Sequence, residues 1–442
     1  MQEFLFISRK GASMIIEFKV KNFRSFREEA VLSMVASSDK TLLENTFPVP
    51  EFGKRNLLRS AVVYGPNAAG KTNLIAAASF MLQFIKTSMD RKIGDPIDAK
   101  PFLLIAESNE VPSEFEITFI DDNDIRYQYG FHVTSERVVR EWLVAYPKGL
   151  PQTWFEREHL GDANTKPSWY FGRNLKGKNT QVAELTRPDV LFLSNAAKLN
   201  HGQLGQILQW FKKSLRVINA DKASIGLSLY SAVKAKENEH DREAIRRLLK
   251  VADFGISDFE VQERTYTEKD FPEDMPAELR SQLVNKKTLD VFMRHPIVGE
   301  AEVSLPLNEE SSGTQRFFAL SGPLAEVLEN GWTLFVDELD SSLHPLLVRY
   351  LIELFHNPQF SPKGAQLIFN THDTTLMDCC LFRRDQIWFV ERDRQSCSHL
   401  YPLLDFSPRK DEALARGYLM GRYGAIPFLG EPQWGDTEHA EA

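Results

Sequence analysis

Apolar and polar residues alternate in the first part of the chain, and this alternation is typical of half-buried β-strands. Near the start, Ile16, Phe18 and Val20 are separated by polar residues. Two further alternating segments, 115–119 and 127–131, are separated by a short acidic stretch, which predicts a β-hairpin. The first part of the chain is therefore expected to form an antiparallel, β-rich lobe.

Short apolar runs of a different kind occur at 61–64, 334–336, 366–369 and 386–390. They lack polar alternation, as expected of strands that are buried on both faces of a parallel sheet. Helical spacing follows the first of them, with Ile75, Ala78, Leu82 and Ile85 as its apolar positions, and two amphipathic patterns cover 203–217 and 241–254. Strands that alternate with helices predict an α/β fold with a mainly parallel central sheet, an antiparallel β-rich N-terminal lobe and a helical insertion.

A glycine-rich segment lies between the first apolar run and the first helical pattern. Its residues match the phosphate-binding pattern G-x-x-x-x-G-K-[ST] and are Gly65, Pro66, Asn67, Ala68, Ala69, Gly70, Lys71 and Thr72. In such a loop the backbone N–H groups and the helix N-terminus face phosphate oxygens. Lys71 is expected to reach the β- and γ-phosphates of ATP, and the Thr72 hydroxyl to bind Mg²⁺.

Two carboxylates end the second apolar run, at Asp337 and Glu338. A carboxylate pair at this position of a nucleotide-binding fold predicts that Asp337 holds Mg²⁺ opposite Thr72 and that Glu338 is the general base for an attacking water. The third run leads into His372, which we expect to hydrogen-bond the γ-phosphate or the attacking water. A purely structural histidine at the end of a strand is the alternative.

Composition narrows the range of functions. The 442 residues carry a net charge of -8, so no overall positive field attracts nucleic acid or anionic lipid. No apolar run reaches the ~18 residues that span a bilayer. The three cysteines have no zinc-site spacing, and a cytoplasmic protein with reduced thiols is expected. Residues 1–13 are interpreted as an extension before the first strand, with Met14 as an alternative start.

The order of these motifs resembles that of ABC-type ATPases. The segment Ser311-Ser312-Gly313-Thr314-Gln315 resembles their LSGGQ signature, and Leu343-His344 lies where they have the D-loop. The segments 22–26 and 337–345 resemble the SMC/RecF-related branch, and more narrowly the OLD-like ATPases of bacterial anti-phage and abortive-infection systems (the RloA/AbiL group). Residues 418–428 are associated with the same group. Thr314 departs from the glycine of the signature, and His344 departs from the usual D-loop aspartate.

That resemblance implies a head-to-tail homodimer, or a higher homo-oligomer, in which each ATP lies between the P-loop of one subunit and the signature of the other. Ser312, Gly313 and Gln315 are then expected to contact nucleotide across the interface, and Arg24 is placed among the nucleotide-binding residues. It also implies four segments: 14–184, the N-terminal part of an ATPase head; 185–302, a helical insertion; 303–405, the C-terminal part of the head; and 406–442, a C-terminal segment with an acidic tail.

The resulting expectation is an ATP-hydrolysing switch that dimerises on ATP and controls a separately encoded effector in anti-phage defence, with a nuclease as one candidate effector. A RecF-like DNA-repair ATPase and an ATP-stabilised scaffold with little turnover are the alternatives. Asp122 and Asp124 could be named a DxD metal motif, but a solvated hairpin turn is favoured, because no third carboxylate is near. The effector is expected to dock on the helical insertion or on residues 418–428.

Overall fold

The computed structural model describes residues 13–49, 55–105, 111–159, 161, 165–219, 224–252, 254–272, 274–297, 302–409 and 412–427. The expected N-terminal extension, except Ser13, and the acidic tail at 430–442 lie outside these residues. Within them, no helix is both long and apolar enough to cross a membrane. The three cysteines are free thiols.

The strands, in chain order, are β1 (Met14–Lys21), β2 (Ala30–Ser33), β3 (Thr46–Pro48), β4 (Asn56–Leu58), β5 (Ser60–Tyr64), β6 (Ser113–Ile120), β7 (Arg126–Val133), β8 (Val138–Tyr146), β9 (Gln152–Glu158), β10 (Ser168–Phe171), β11 (Leu215–Ile218), β12 (Asp258–Thr265), β13 (Lys287–His295), β14 (Val303–Pro306), β15 (Thr333–Val336), β16 (Gln366–Asn370), β17 (Ile387–Arg392) and β18 (Ser398–Pro402).

The α-helices are α1 (Lys71–Thr87), α2 (Asn179–Glu184), α3 (Phe192–Lys198), α4 (Gly202–Ser214), α5 (Ser224–Glu237), α6 (Glu239–Val251), α7 (Ala277–Leu283), α8 (Ser312–Asn330), α9 (Pro345–His356) and α10 (Leu414–Leu419). Short 3₁₀ turns connect several of these elements.

A six-stranded sheet forms the centre of the fold, in the order β11-β15-β16-β5-β17-β18. Every neighbouring pair is parallel except β17 and β18. The carboxyl ends of β5, β15 and β16 therefore meet at one edge, where ligands bind in open α/β sheets. The predicted α/β class and mainly parallel central sheet are confirmed.

The two faces of this sheet pack against different helices because side chains alternate along a strand. Ala61 and Val63 of β5 belong to a core shared with α1 and the N-terminal lobe. Val62 and Tyr64 face a second core formed largely by α8, α9 and the chain after residue 400. Burial on both faces explains why β5 reads as a continuous apolar run.

The predicted β-rich lobe is a seven-stranded sheet in the order β10-β9-β8-β7-β6-β1-β2, with all pairs antiparallel. The predicted hairpin is β6–β7, and Asp121 closes its turn by accepting from the N–H groups of Asn123 and Ile125. Asp124 has a left-handed φ of 60° in that turn. The segment that could be named a DxD motif is therefore a hairpin turn, as favoured.

Residues 185–302 contain helices α3–α7, in line with the expected helical character, but they also contain β11, β12 and β13. The helical pattern read at 203–217 is wrong at its end. The chain leaves α4 after Ser214, and Leu215–Ile218 become the parallel neighbour of β15. Pairing with the central sheet outweighs helical spacing there, because an apolar edge strand gains both hydrogen bonds and burial. The domain boundaries themselves remain predictions.

Candidate functional site

The glycine-rich loop runs from the carboxyl end of β5 into the first turn of α1, and two of its glycines lie against other strands. A Cβ on Gly65 would come within 2.2 Å of the Val390 carbonyl oxygen. Gly70 has a φ of 116°, and its Cβ would lie 2.3 Å from the Ser398 hydroxyl. Only glycine satisfies both the close approach and the left-handed backbone, so β17 and β18 fix the shape of the loop from behind.

Lys71 lies at the centre of the loop, with 6% of its surface exposed. Its ammonium group donates to the backbone oxygens of Gly65, at 2.8 Å, and Pro66, at 3.0 Å. Burial lowers the Lys71 pKa to about 8, and the nearby carboxylates of Glu338, Asp337 and Asp340 act against that shift. Two backbone carbonyl groups therefore stabilise the charged ammonium group, and nearby carboxylates favour its charged form.

The outer side of the loop is open to solvent. Asn67, Ala68 and Thr72 are exposed, whereas Ala69 is buried. Ala68 has a left-handed φ of 60°, which orients successive N–H groups toward one side, as in anion-binding nests. A phosphate group has access to this side of the loop, and the Thr72 hydroxyl lies in the first helical turn beside it.

Asp337 and Glu338 follow β15 directly, as predicted. The Asp337 side chain is 3% exposed, and its Oδ1 accepts from the Asn370 amide at 2.6 Å. Glu338 has a left-handed φ of 50°, and its backbone N–H donates to Asn370 Oδ1 at 2.7 Å. Asn370 at the end of β16 therefore contacts both acidic residues. Asn370 is not among the residues predicted from the sequence, although a polar residue that ends an apolar strand is a usable signal.

His372 is exposed, and its backbone N–H donates to Asp340 Oδ2 at 3.3 Å. Partial loss of hydration is the largest cause that lowers the His372 pKa, and the charge of Lys71 lowers it further. The carboxylates of Asp340, Glu338 and Asp337 act in the opposite direction. A histidine with a pKa below 6.5 is neutral at pH 7. The structure brings His372, Lys71 and the two carboxylates after β15 into one electrostatic neighbourhood.

The segment around Arg24 contacts the first turn of α1. Phe23 and Phe26 are buried in the core, so this segment is anchored by its aromatic side chains. The Arg24 guanidinium donates to Asn73 Oδ1 at 3.3 Å, and the Asn73 amide donates to Ser25 Oγ at 2.7 Å. Arg24 is exposed at this position, next to the helix start that follows the glycine-rich loop.

The serine-glycine turn is the N-terminus of α8. Ser311 caps the helix by accepting from the Thr314 N–H at 3.1 Å. The Thr314 hydroxyl lies 2.9 Å from Ser311 Oγ, so the threonine that departs from the signature pattern is part of the capped turn. A Cβ on Gly313 would lie 2.9 Å from the Ser342 carbonyl oxygen. Gln315 donates to the Glu310 backbone oxygen at 2.8 Å.

The serine-glycine turn is not hydrogen-bonded to the glycine-rich loop of the same chain within the described residues. Among the described residues, no hydrogen bond or ion pair joins Ser312, Gly313 or Gln315 to residues 65–72. One residue further along α8, Arg316 is half-buried with its Nε and Nη2 atoms unpaired. Burial lowers the Arg316 pKa, and the charges of Glu338 and Asp337 oppose the shift. Arg316 is thus a second cation within electrostatic range of the acidic pair, and it is not among the residues predicted from the sequence.

His344 has a structural position. Its Nδ1 accepts from the Leu346 N–H at 3.2 Å, and Pro345 occupies the first turn of α9. The imidazole therefore caps α9, which accounts for a histidine where an aspartate was expected.

The docking surface expected at residues 418–428 stays a prediction, and the two tyrosines of this segment lie in the core. Tyr418 and Tyr423 are buried. The Tyr418 ring stacks on Phe389 at 5.4 Å and lies 6.0 Å from Tyr64, the residue before the glycine-rich loop. These aromatic side chains complete the core behind the loop, and Phe428 lies outside the described residues.

Residues of the site fit a nucleotide with a magnesium ion. A lysine ammonium and exposed loop N–H groups suit phosphate, and the Asp337 carboxylate and Thr72 hydroxyl are oxygen donors of the kind Mg²⁺ prefers. Magnesium is commonly bound by one or two carboxylates together with substrate phosphates, so a complete cage of protein ligands is not required.

Residues 60–378 match a protein-family model, AAA_21, described as "AAA domain, putative AbiEii toxin, Type IV TA system". No curated protein matches the chain. Among solved structures, the chain is similar to the SMC head domain from Thermotoga maritima, with 14% identity over 88% of this chain and 98% of that one, at a TM-score of 0.39.

Two further solved structures are similar over most of their length. An Smc head domain with an extended coiled coil, bound to the C-terminal domain of ScpA derived from Pyrococcus furiosus, has 14% identity, covers 88% of this chain and 96% of that one, and has a TM-score of 0.40. The recombination mediator protein RecF with ATP has 13% identity, covers 83% and 95%, and has a TM-score of 0.33.

Proposed function

Because the chain belongs to the family of AAA domains described as "putative AbiEii toxin, Type IV TA system", we propose that it binds and hydrolyses ATP as a molecular switch. The family is one of P-loop ATPases. The observation that carries the proposal is that β5, which leads into the loop of Lys71, and β15, which leads into Asp337 and Glu338, are both parallel neighbours of β16. A lysine in a phosphate-binding loop and the carboxylates that follow β15 thus meet at one edge of the sheet.

Each residue has a distinct task in this proposal. Lys71 exchanges its contacts with the Gly65 and Pro66 carbonyls for phosphate oxygens. Thr72 and Asp337 hold Mg²⁺, which supplies positive charge against the phosphate oxygens when it is bound. Glu338 accepts a proton from the attacking water, the role of a general base in phosphoryl transfer. His372 is neutral near pH 7 and can donate one hydrogen bond to a γ-phosphate oxygen.

We further propose that a second copy of the chain completes the site. The capped N-terminus of α8 offers backbone N–H groups and a positive helix end, both suited to a phosphate. Among the described residues, no hydrogen bond or ion pair joins this turn to the loop of its own chain, which supports a site shared between two subunits. Ser312, Gly313 and Gln315 would then contact the nucleotide of the partner, and ATP would hold the dimer together.

The switch is proposed to control a separately encoded effector. Within the described part of the chain, one group of three metal-ligand types is close enough to share an ion, Asp378, Cys379 and Cys380. Two thiols and one carboxylate are not the all-oxygen set that a magnesium-dependent nuclease needs. Both oxygens of Asp378 are also engaged, by Arg349 and by the Cys380 N–H. This group does not supply a nuclease centre, and a destructive activity is proposed to reside in a partner protein, with a nuclease as one candidate.

The test is to express the chain with and without the product of its neighbouring gene and to assay phage protection and nucleic-acid cleavage. Glu338→Gln is the matched variant, since it changes one atom group at the site. Protection is expected only with both proteins present and an intact Glu338. Protection or cleavage by this chain alone, dependent on Asp122 and Asp124, would refute the effector proposal.

A RecF-like DNA-binding ATPase is the second candidate, favoured by the motif resemblance of residues 22–26. The net charge of -8 speaks against it. DNA binding whose affinity falls steeply with salt would support it, because contacts to phosphates release counterions. A scaffold stabilised by ATP, the third candidate, would form a stable assembly with intact nucleotide and no turnover.

A further inference from the structure

Asn370 ends β16 in the neighbourhood of both acidic residues, and it is 1% exposed. Its Nδ2 donates to Asp337 Oδ1 at 2.6 Å, and its Oδ1 accepts from the Glu338 N–H at 2.7 Å. Its backbone oxygen accepts from the Leu339 N–H at 3.3 Å. One buried residue therefore contacts three successive residues at the end of β15.

The side-chain amide has a separate effect on each carboxylate. The bond to Asp337 engages Oδ1 and fixes the rotation of the carboxyl group, so that Oδ2 is left to face a cation. Hydrogen bonds to ligand carboxylates orient them in this way in other metal sites. The bond to the Glu338 N–H compensates a left-handed backbone, φ 50°, which is unfavourable for a residue with a Cβ. That backbone sets the direction in which the Glu338 side chain leaves the strand.

Core packing alone does not explain why position 370 is an asparagine. The preceding residues of β16, Leu367, Ile368 and Phe369, are apolar and buried, and an apolar residue would be the ordinary choice for the next position. A buried amide is unfavourable unless it is hydrogen-bonded, and the side-chain bonds of Asn370 go to the two acidic residues of the site. Two residues later the same segment carries His372.

We infer that Asn370 is a positioning residue that orients Asp337 for metal binding and Glu338 for proton transfer. This inference rests on the proposed ATPase function and deepens it. Through this one side chain, the end of β16, which leads to His372, is hydrogen-bonded to the two carboxylate residues that follow β15. Replacing Asn370 should change metal affinity and hydrolysis while leaving nucleotide binding by the glycine-rich loop in place.

The first test measures metal binding, without turnover. Mn²⁺ affinity is measured by electron paramagnetic resonance in the presence of a non-hydrolysable ATP analogue, and analogue affinity is measured separately without metal. Asn370→Leu, which keeps the branched shape and the number of side-chain heavy atoms but removes both side-chain bonds, should lower Mn²⁺ affinity about 10-fold or more and change metal-free analogue affinity less than 2-fold.

Asn45→Leu is the matched control. Asn45 is buried, and its amide donates to the Leu381 carbonyl and to Gln386 Oε1, away from the acidic pair. It should lower the midpoint of thermal unfolding but leave Mn²⁺ affinity unchanged. Equal Mn²⁺ affinity in wild type and Asn370→Leu would overturn the inference, and so would an equal loss in both variants.

The second test uses Asn370→Ala and keeps the inference falsifiable if the leucine variant does not fold. Alanine removes both side-chain bonds without adding bulk at a buried position. Mn²⁺ affinity in the presence of the analogue should again fall about 10-fold or more, and metal-free analogue affinity should change less than 2-fold.

Mn²⁺ affinity equal to that of wild type in a folded Asn370→Ala protein would overturn the inference. The failures of the two proposals can be told apart. A wild-type protein that binds neither the analogue nor Mn²⁺ refutes the ATPase function, and with it the role of Asn370. A wild-type protein that binds both, together with an unchanged Asn370→Leu variant, refutes the role of Asn370 alone.

Discussion

The Lys71 ammonium group donates to the backbone oxygen of Gly65 at 2.8 Å, so the lysine contacts the first residue of its own loop. This contact keeps a buried cation hydrogen-bonded before a ligand arrives, which reduces the penalty of burial. It is also exchangeable, because a phosphate oxygen offers a charged acceptor and therefore a stronger hydrogen bond than a carbonyl. The site is thus arranged to receive an anion.

Lys71→Ala should lower ATP affinity by at least about 100-fold, because each hydrogen bond to a charged group contributes roughly 1.5–3 kcal/mol. Fluorescent-nucleotide titration measures the change, and circular dichroism checks that the variant is folded. Unchanged affinity in a folded Lys71→Ala protein would refute the assignment of the phosphate-binding loop.

ATP affinity should also depend on pH above about 8. The Lys71 pKa is about 8 in the free protein, and a bound triphosphate raises it, so below pH 8 the lysine is charged in both states and contributes no pH dependence. Above pH 8 the free protein must first bind a proton, and affinity should fall by up to about 10-fold per pH unit. Titrations from pH 7 to 9.5 measure this slope.

Lys86→Ala is the control for that experiment, because Lys86 also has a pKa of about 8, lowered first by burial and then by Arg216 and Lys212. Lys86 lies near the far end of α1. Its removal should leave the slope intact. If the slope disappears in Lys86→Ala, the titrating group is Lys86 and the assignment to Lys71 is wrong.

Gly313→Arg should block dimerisation and hydrolysis while leaving ATP binding to the single subunit in place. Any side chain at this position meets the Ser342 carbonyl, which would lie 2.9 Å from its Cβ, and the arginine would enlarge the surface offered to a partner. Sedimentation with ATP measures the dimer. Mixing with Lys71→Ala should restore at most one working site per pair, and a monomeric Gly313→Arg protein with full hydrolysis would exclude a shared site.

Tyr418→Ala should destabilise the protein by about 3 kcal/mol, because it removes a buried aromatic ring from contact with Phe389 and Tyr64. Leu419→Ala is the neighbouring control, since Leu419 is 64% exposed and should change stability by less than about 0.5 kcal/mol. Urea unfolding followed by fluorescence measures both. Equal, small effects would show that the C-terminal aromatic residues do not support the core.

The sequence predicted those parts of the site that depend on local pattern. The glycine-rich loop, the acidic pair after β15 and the position of His372 each lie within one segment, and their order along the chain indicated a nucleotide-binding fold. Gly65 and Gly70 also have local signals, although the carbonyl and hydroxyl groups they approach belong to β17 and β18, more than 300 positions away.

Residues that act through distant contacts were missed. Asn370 and Arg316 approach the acidic pair only because β16 and α8 pack beside β15. The polar end of an apolar strand marks Asn370 as unusual, but it does not specify which residues of another strand Asn370 contacts. Tyr418 and Tyr423 are buried because the C-terminal chain packs behind the loop, where Tyr418 contacts Phe389 and Tyr64. Leu215–Ile218 had helical spacing but pair with β15, since tertiary hydrogen bonding overrides local periodicity.

The most direct test of the proposed switch is Glu338→Gln, assayed for ATP binding, hydrolysis and oligomeric state in one preparation. The glutamine keeps the shape of the side chain but cannot accept the proton of water, so hydrolysis should fall about 10²–10⁴-fold while ATP affinity stays within 2-fold of wild type. Sedimentation with Mg²⁺ and ATP should then show an accumulated dimer. Hydrolysis at the wild-type rate, or a variant that stays monomeric with ATP bound, would contradict the account.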